Sequence, residues 1–288
     1  MKTGRLALAC LLLGAVGIAF APILVRLSPL GPSATAFYRL LLALPVLALW
    51  LAWETRLRKQ APFQKGDVKG LLTAGVCFAA DLAVWHWSVL LTTIANATLF
   101  PNFAPIYVTL AGWILFRQGV RPLFILGMVL ALSGAVVLMS GNLSLGGEHL
   151  AGDLLGQLTA VFYAGYIVAV GRLRQRLSTA AIMTMSGLVT TPLLLLAALA
   201  SGEALWPQPG QGWEALIALA LVSHVGGQSL IAYGLAHLPA SFGSVVLLLQ
   251  PLVATLLAAG MLNEPLTLLV AAGGGVILAG IVLAKRGS

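Results

Sequence analysis

The chain has 288 residues, of which 60% are hydrophobic and 8% charged, with a mean hydropathy of +1.00. Soluble proteins carry about a quarter of their residues as charges, so this composition excludes a water-soluble domain and indicates a membrane protein. The formal charge of +8 does not point to nucleic acid, because nearly all lysines and arginines stand in short connectors between apolar runs, and Cys10 and Cys77 lie inside such runs with no metal-ligand or disulfide spacing.

Apolar windows of about 20 residues, enough to cross a bilayer as helix, occur ten times. The first covers 6–27. It opens like a signal peptide but stays apolar to Val25 without a clean small-residue cleavage site, and is read as a retained helix. Gly14 and Gly17 on it predict a close helix approach, and Phe20 an aromatic cavity wall. The second, 33–53, holds Arg39, the only basic residue well inside a span, which is expected to snorkel outward or to pair with a helix end. The third, 70–90, holds Asp81, whose burial costs roughly 2.5–3.5 kcal/mol on insertion scales. Phe78, Asp81 and Trp85 share one helical face, suited to a substrate ammonium. A structural role for Asp81, hydrogen-bonded between helices, is equally open. His86 points off that face and reads as an interfacial residue.

The fourth and fifth windows cover 94–116 and 122–140. Asn102 precedes Pro105 by three residues, and a proline frees a carbonyl one turn earlier while giving the helix a place to bend. In the sixth window, 152–171, Thr159, Tyr163 and Tyr166 form a stripe that fits either a cavity wall or ordinary core packing. The seventh is 180–200. In the eighth, 213–236, His224, Gln228 and Ile231 form a stripe with Gly227 that could bind a carboxylate or amide, or could lock the helix to a neighbour. The ninth, 239–261, pairs Gln250 with Pro251, and the tenth is 266–284, preceded by Asn263, Glu264 and Pro265, which read as a helix start.

The connectors alternate in charge. One side carries Lys2, Arg5, Arg56, Arg58, Lys59, Lys65, Lys69, Arg117, Arg121, Arg172, Arg174, Arg176, Lys285 and Arg286, and the other only Arg26. By the positive-inside rule both termini are expected in the cytoplasm, with Glu148, Glu203 and Glu264 in external turns and Trp50, Trp53, Trp206 and Trp213 as interfacial anchors.

Residues 97–141 and 243–287 align without a gap at an offset of 146, which superposes Pro105 on Pro251, Gly127 on Gly273 and Gly134 on Gly280. Two repeats are expected, 1–146 and 147–288. Each holds five spans, an odd number, so the second must enter the membrane from the opposite side. Inverted repeats place a substrate site between the halves near the midplane.

The run GPSATAFYRLLLALP, the segment from Ala232 to Gly280 and its partial copy in the first half resemble the EamA-type transporters of the drug/metabolite transporter superfamily. The resemblance implies an all-α polytopic membrane protein of ten helices in two inverted five-helix repeats, a central cavity among helices 1, 3, 4, 6, 8 and 9, and alternating access. Within it, the chain looks like the YddG-type aromatic amino acid exporters. Gln118 stands in the first repeat where the second has Glu264, which argues against an essential role for that glutamate. The first span lacks the acidic residue that small multidrug transporters of this superfamily use for proton exchange, and no set of buried cations suits a phosphate-sugar exchanger.

These readings converge on an exporter in a bacterial inner membrane, moving small uncharged or zwitterionic metabolites, foremost amino acids with large apolar side chains. A proton-coupled exporter of drugs, nucleosides or sugars is the alternative, and no cluster of Asp or His and no nucleophile elbow supports a membrane enzyme. The expected substrate-binding residues are Phe20, Phe78, Asp81, Trp85, Asn102, Tyr163, Tyr166, His224, Gln228 and Gln250, with Pro105 and Pro251 as hinges. No cofactor, metal or nucleic acid is expected. The partners are a small-molecule substrate and the lipid bilayer, and a monomer suffices for transport.

Overall fold

The computed structural model describes residues 2–57, 64–92, 94–142, 147–207, 212–262 and 266–288. Arg58, Lys59, Asn263, Glu264 and Pro265 lie outside the described residues. Those described form helices and connectors with no strand, and ten helical spans are long and apolar enough to cross a membrane. They are α1 (Gly4–Arg26), α2 (Pro32–Leu57), α3 (Lys65–Leu91), α4 (Asn96–Phe116), α5 (Pro122–Met139), α6 (Gly147–Leu173), α7 (Thr179–Ala200), α8 (Trp213–Gly234), α9 (Ala240–Leu257) and α10 (Leu268–Gly287). Both α2 and α3 run past their apolar windows, because Arg56, Lys65 and Lys69 continue the helix where charge can reach water.

Helix ends follow local chemistry. Pro122 starts α5 at the first turn, where its missing N–H would have no partner in any case. The Gln64 N–H donates to Asp67 Oδ2 at 2.7 Å at the start of α3, and Asp67 also pairs with Arg176 beyond the end of α6. At the opposite face of the bundle the Ser33 and Ala34 amides, at the start of α2, donate to the two carboxylate oxygens of Glu203 at 3.1 and 2.8 Å. A carboxylate there satisfies orphan amides and complements the helix dipole. On that same face Asp153, at the start of α6, accepts from Thr92 Oγ1 at 2.6 Å and Asn96 Nδ2 at 2.8 Å.

The packing of α5 on α10 exposes the symmetry. A Cβ built on Gly127 would meet the Ala284 nitrogen at 2.2 Å, and one on Gly273 the Leu138 nitrogen at 2.5 Å. Likewise Gly134 abuts Ile277 and Gly280 abuts Ala131. Each contact becomes its mate when the offset of 146 is applied, and residue numbers rise along one helix as they fall along the other. The helices are antiparallel equivalents, as inverted repeats require, and their glycines admit backbone contact.

Helices α4 and α9 break at matching depth. In α4 a 3₁₀ turn, Phe100–Phe103, separates Ile94–Leu99 from Ala104–Phe116, and in α9 the chain turns at residues 247–248 between Ala240–Val246 and Leu249–Leu262. Pro105 and Pro251 stand just after these breaks, in the first turn of the following segment. Helix α8 departs from regular winding. Leu219–Gln228 is π-helical, whereas its counterpart α3 is continuous. The wider turn lies where Gly227 packs on α1, with a Gly17 Cβ placed at 2.9 Å from the Gly227 Cα. A wider helix also rotates residues away from ordinary helical spacing.

Candidate functional site

The site is a cavity of about 120 Å³ at the junction of the two halves. Its apolar wall includes Ile18, Phe78, Leu82, Trp85, Ile167 and Leu247, and polar groups enter from both halves: Arg39 and Asp81 from α2 and α3, Asn102 from α4, Tyr163 from α6, Gln228 from α8, and Gln250 from α9. Pro105 and Pro251 face it from the two broken helices. A mostly apolar enclosure with a few placed polar groups is the general form of a small-molecule site.

The polar side chains are incompletely satisfied. Asn102 Nδ2 donates to the Thr98 carbonyl at 2.7 Å, one turn back at the 3₁₀ break of α4. The Tyr163 hydroxyl faces the amides of Gln228 and Gln250, while Nε2 of each amide has no partner. Trp85 Nε1 donates to the Ala97 carbonyl at 2.9 Å, so its indole is held as a fixed wall.

Of the residues expected from sequence, Phe78, Asp81, Trp85, Asn102, Tyr163, Gln228 and Gln250 line this cavity. Phe20, Tyr166 and His224 do not. Phe20 sits at the turn that interrupts α1, half-buried, while its neighbours Ala19 and Ala21 face the space. Tyr166 is fully buried and stacks on Phe78 with centroids 4.6 Å apart, and Tyr163 stacks on Tyr166 at 6.2 Å. His224 packs against Phe78 at 5.5 Å, and both its ring nitrogens are unpartnered. His224 and Gln228, expected on one stripe, thus separate into a ring packed on Phe78 and a cavity amide.

Two other expectations change. Arg39 does not snorkel: it is 4% exposed and lines the cavity. His86 is not interfacial but fully buried, its Nδ1 2.5 Å from the Leu82 carbonyl. Sequence reasoning also passed over Thr98 and Ser244, which line the cavity and are equivalent at the offset of 146. That pairing of two hydroxyls was the available signal. Arg39 could have been found from Ala36, Ala43 and Leu47, whose fully buried stripe marks the inward face of α2.

A second space, about 660 Å³, lies at the end of the bundle that bears Arg121, Arg172 and the C-terminal residues. One helical turn separates the two. On α9 Ser244 faces the central cavity and Ser241 the larger space, and on α4 Pro105 and Val108 divide in the same way.

The sequence pattern of the EamA-like transporter family matches residues 5–140 and again 150–286. The chain belongs to this family. Among curated relatives, this EamA-family transporter is 26% identical over 265 residues to an uncharacterized transporter of Archaeoglobus fulgidus, covering 90% of this chain and 89% of that one. It is also 26% identical over 244 residues to the uncharacterized transporter YwfM of Bacillus subtilis, covering 82% and 78%. A crystal structure of a protein 20% identical superposes with a TM-score of 0.78 over 99% of this chain and 98% of the other, which establishes the shared fold. The two matches in one chain follow the same doubling as the contacts of α5 and α10.

Proposed function

We propose that this transporter exports small zwitterionic or uncharged metabolites, foremost amino acids with large apolar or aromatic side chains, from the cytoplasm across a bacterial inner membrane by alternating access. The observation that carries the reading is the central cavity, where polar groups from both halves stand in an apolar wall one turn from a wide space at the basic end. With basic connectors inside, that space opens to the cytoplasm and both termini are cytoplasmic. The repeats 1–146 and 147–288 rock about the cavity, and the broken helices α4 and α9 bend at Pro105 and Pro251. The trapped apolar surface of Phe78, Trp85 and Ile167 favours an apolar substrate side chain, and the amides and hydroxyls orient its polar end.

A proton-coupled exporter is the second reading, and the buried carboxyl of Asp81 is the feature that favours it. Purified protein in liposomes separates the two. Saturable amino acid flux without a pH gradient supports the first reading. Flux that requires the gradient, or competition by nucleosides or cationic dyes but by no amino acid, supports the second.

A further inference from the structure

Arg39 and Asp81 present a charge pattern that the protein itself leaves incomplete. Both are buried, 4% and 7% exposed, and both line the central cavity from adjacent helices, α2 and α3. They lie close enough to interact electrostatically. Yet neither has a hydrogen bond or ion pair with the other or with any other described residue, and Arg39 Nε is buried without a partner. Two opposite charges within a membrane span are costly unless each is neutralised and hydrogen-bonded. Nothing on the cavity wall supplies a second carboxylate for the guanidinium or a second cation for the aspartate: the other lining polar groups are neutral amides, hydroxyls and an indole.

We infer that Arg39 and Asp81 are the two poles of a receptor for a zwitterion, in which Arg39 takes the substrate carboxylate and Asp81 the substrate ammonium. A guanidinium offers a planar fork that matches a carboxylate in two parallel bonds, and an ammonium donates well to an aspartate. An α-amino acid carries both groups on one carbon, so it completes both ends together while its side chain rests on Phe78, Trp85 and Ile167. Its dipole also leaves the net charge of the site unchanged, so the site can empty on either side without stranding an ion. The inference rests on the proposed amino acid export and deepens it by naming what the site demands: both charges, on neighbouring atoms.

The test measures competition against labelled phenylalanine counterflow in liposomes, with phenylalanine amide, which lacks the carboxylate, and 3-phenylpropionate, which lacks the ammonium. Wild-type protein is expected to favour phenylalanine over each analogue by about tenfold or more, because a charged side chain left without its partner rejects the truncated ligand. Arg39→Gln and Asp81→Asn are expected to abolish discrimination against the amide and the propionate respectively. Arg39→Lys, which keeps the charge but loses the fork, is expected to discriminate to an intermediate degree. Ligand-dependent thermal shifts of wild-type protein with the same three compounds give the same ranking without relying on any variant's folding. Phenylalanine counterflow that either analogue inhibits as well as phenylalanine itself, or a folded Arg39→Gln protein that still rejects the amide, overturns the receptor while leaving amino acid export standing. Absence of any amino acid flux or shift with wild-type protein overturns the export reading, and the receptor with it.

Discussion

Phe78 and His224 face each other at the middle of the bundle, ring centroids 5.5 Å apart, and at the offset of 146 each occupies the other's place in its own half. The pseudo-two-fold axis therefore passes between them. The same operation carries the contact of Gly17 with Gly227, where bare backbones meet, onto Tyr163 and Asp81, whose side chains line the cavity. Of the two equivalent interfaces between the halves, one is closed by glycines and the other is lined by polar side chains.

His224 sits on the axis with two unpartnered ring nitrogens and no face on the cavity. A buried polar atom without a partner costs about 1–3 kcal/mol. Replacing it by its symmetry equivalent, His224→Phe, is expected to hold or raise the thermal unfolding midpoint in detergent and to leave flux intact. Loss of flux with the fold preserved would give the imidazole a part in transport.

The α5–α10 seam depends on having no Cβ. Gly280→Val would press into the Ala131 backbone, which a Cβ already reaches at 2.4 Å, and is expected to destabilise by about 1–3 kcal/mol or more. Gly275→Ala on the same helix meets nothing within 4 Å and gains helix propensity, so its midpoint is expected to be unchanged or slightly higher. Equal effects of the two variants would show that the seam is not tightly packed in the membrane.

Glu203 ties the two halves together, at the face of the bundle opposite the chain termini, by capping α2. Removing it, Glu203→Ala, is expected to cost about 1 kcal/mol, the usual worth of a cap. Gly31→Ala would place its Cβ 2.4 Å from Glu203 Oε2 and displace the same carboxylate. The double variant should therefore fall well short of the sum of the two losses in a thermal unfolding cycle. Full additivity would mean that the cap does not carry the effect.

Pro105 and Pro251 follow breaks that lie at one depth in the two halves. If the bend serves switching rather than binding, as proposed, Pro105→Ala and Pro251→Ala leave ligand-dependent thermal shifts in place while slowing flux several-fold, most in the double variant. Unaltered flux in the double variant would remove the hinge role.

The spans, their inversion and the two helix breaks were legible because composition, parity and proline act locally. The rotation of each helix was less so. Arg39 looked like a residue that reaches for the membrane surface, yet the small residues packed on α2 turn it inward. His224 and Gln228 obeyed helical spacing on paper, but only the amide reaches the cavity while the imidazole packs on Phe78, a division set by tertiary contacts that no local pattern states. Glu203 belonged to an external turn in sequence and Asp153 to the edge of the sixth apolar window, while their partners Ser33, Ala34, Thr92 and Asn96 come from distant segments.

On the proposed function, a zwitterionic amino acid passes through the cavity between the halves. Counterflow of labelled phenylalanine into liposomes that hold the purified transporter and excess unlabelled phenylalanine tests it most directly. A saturable transient accumulation is expected, reduced but still measurable in Arg39→Gln and Asp81→Asn proteins that unfold at wild-type temperatures. Accumulation no greater than in protein-free liposomes, from folded wild-type protein and across a panel of apolar and aromatic amino acids, would contradict it.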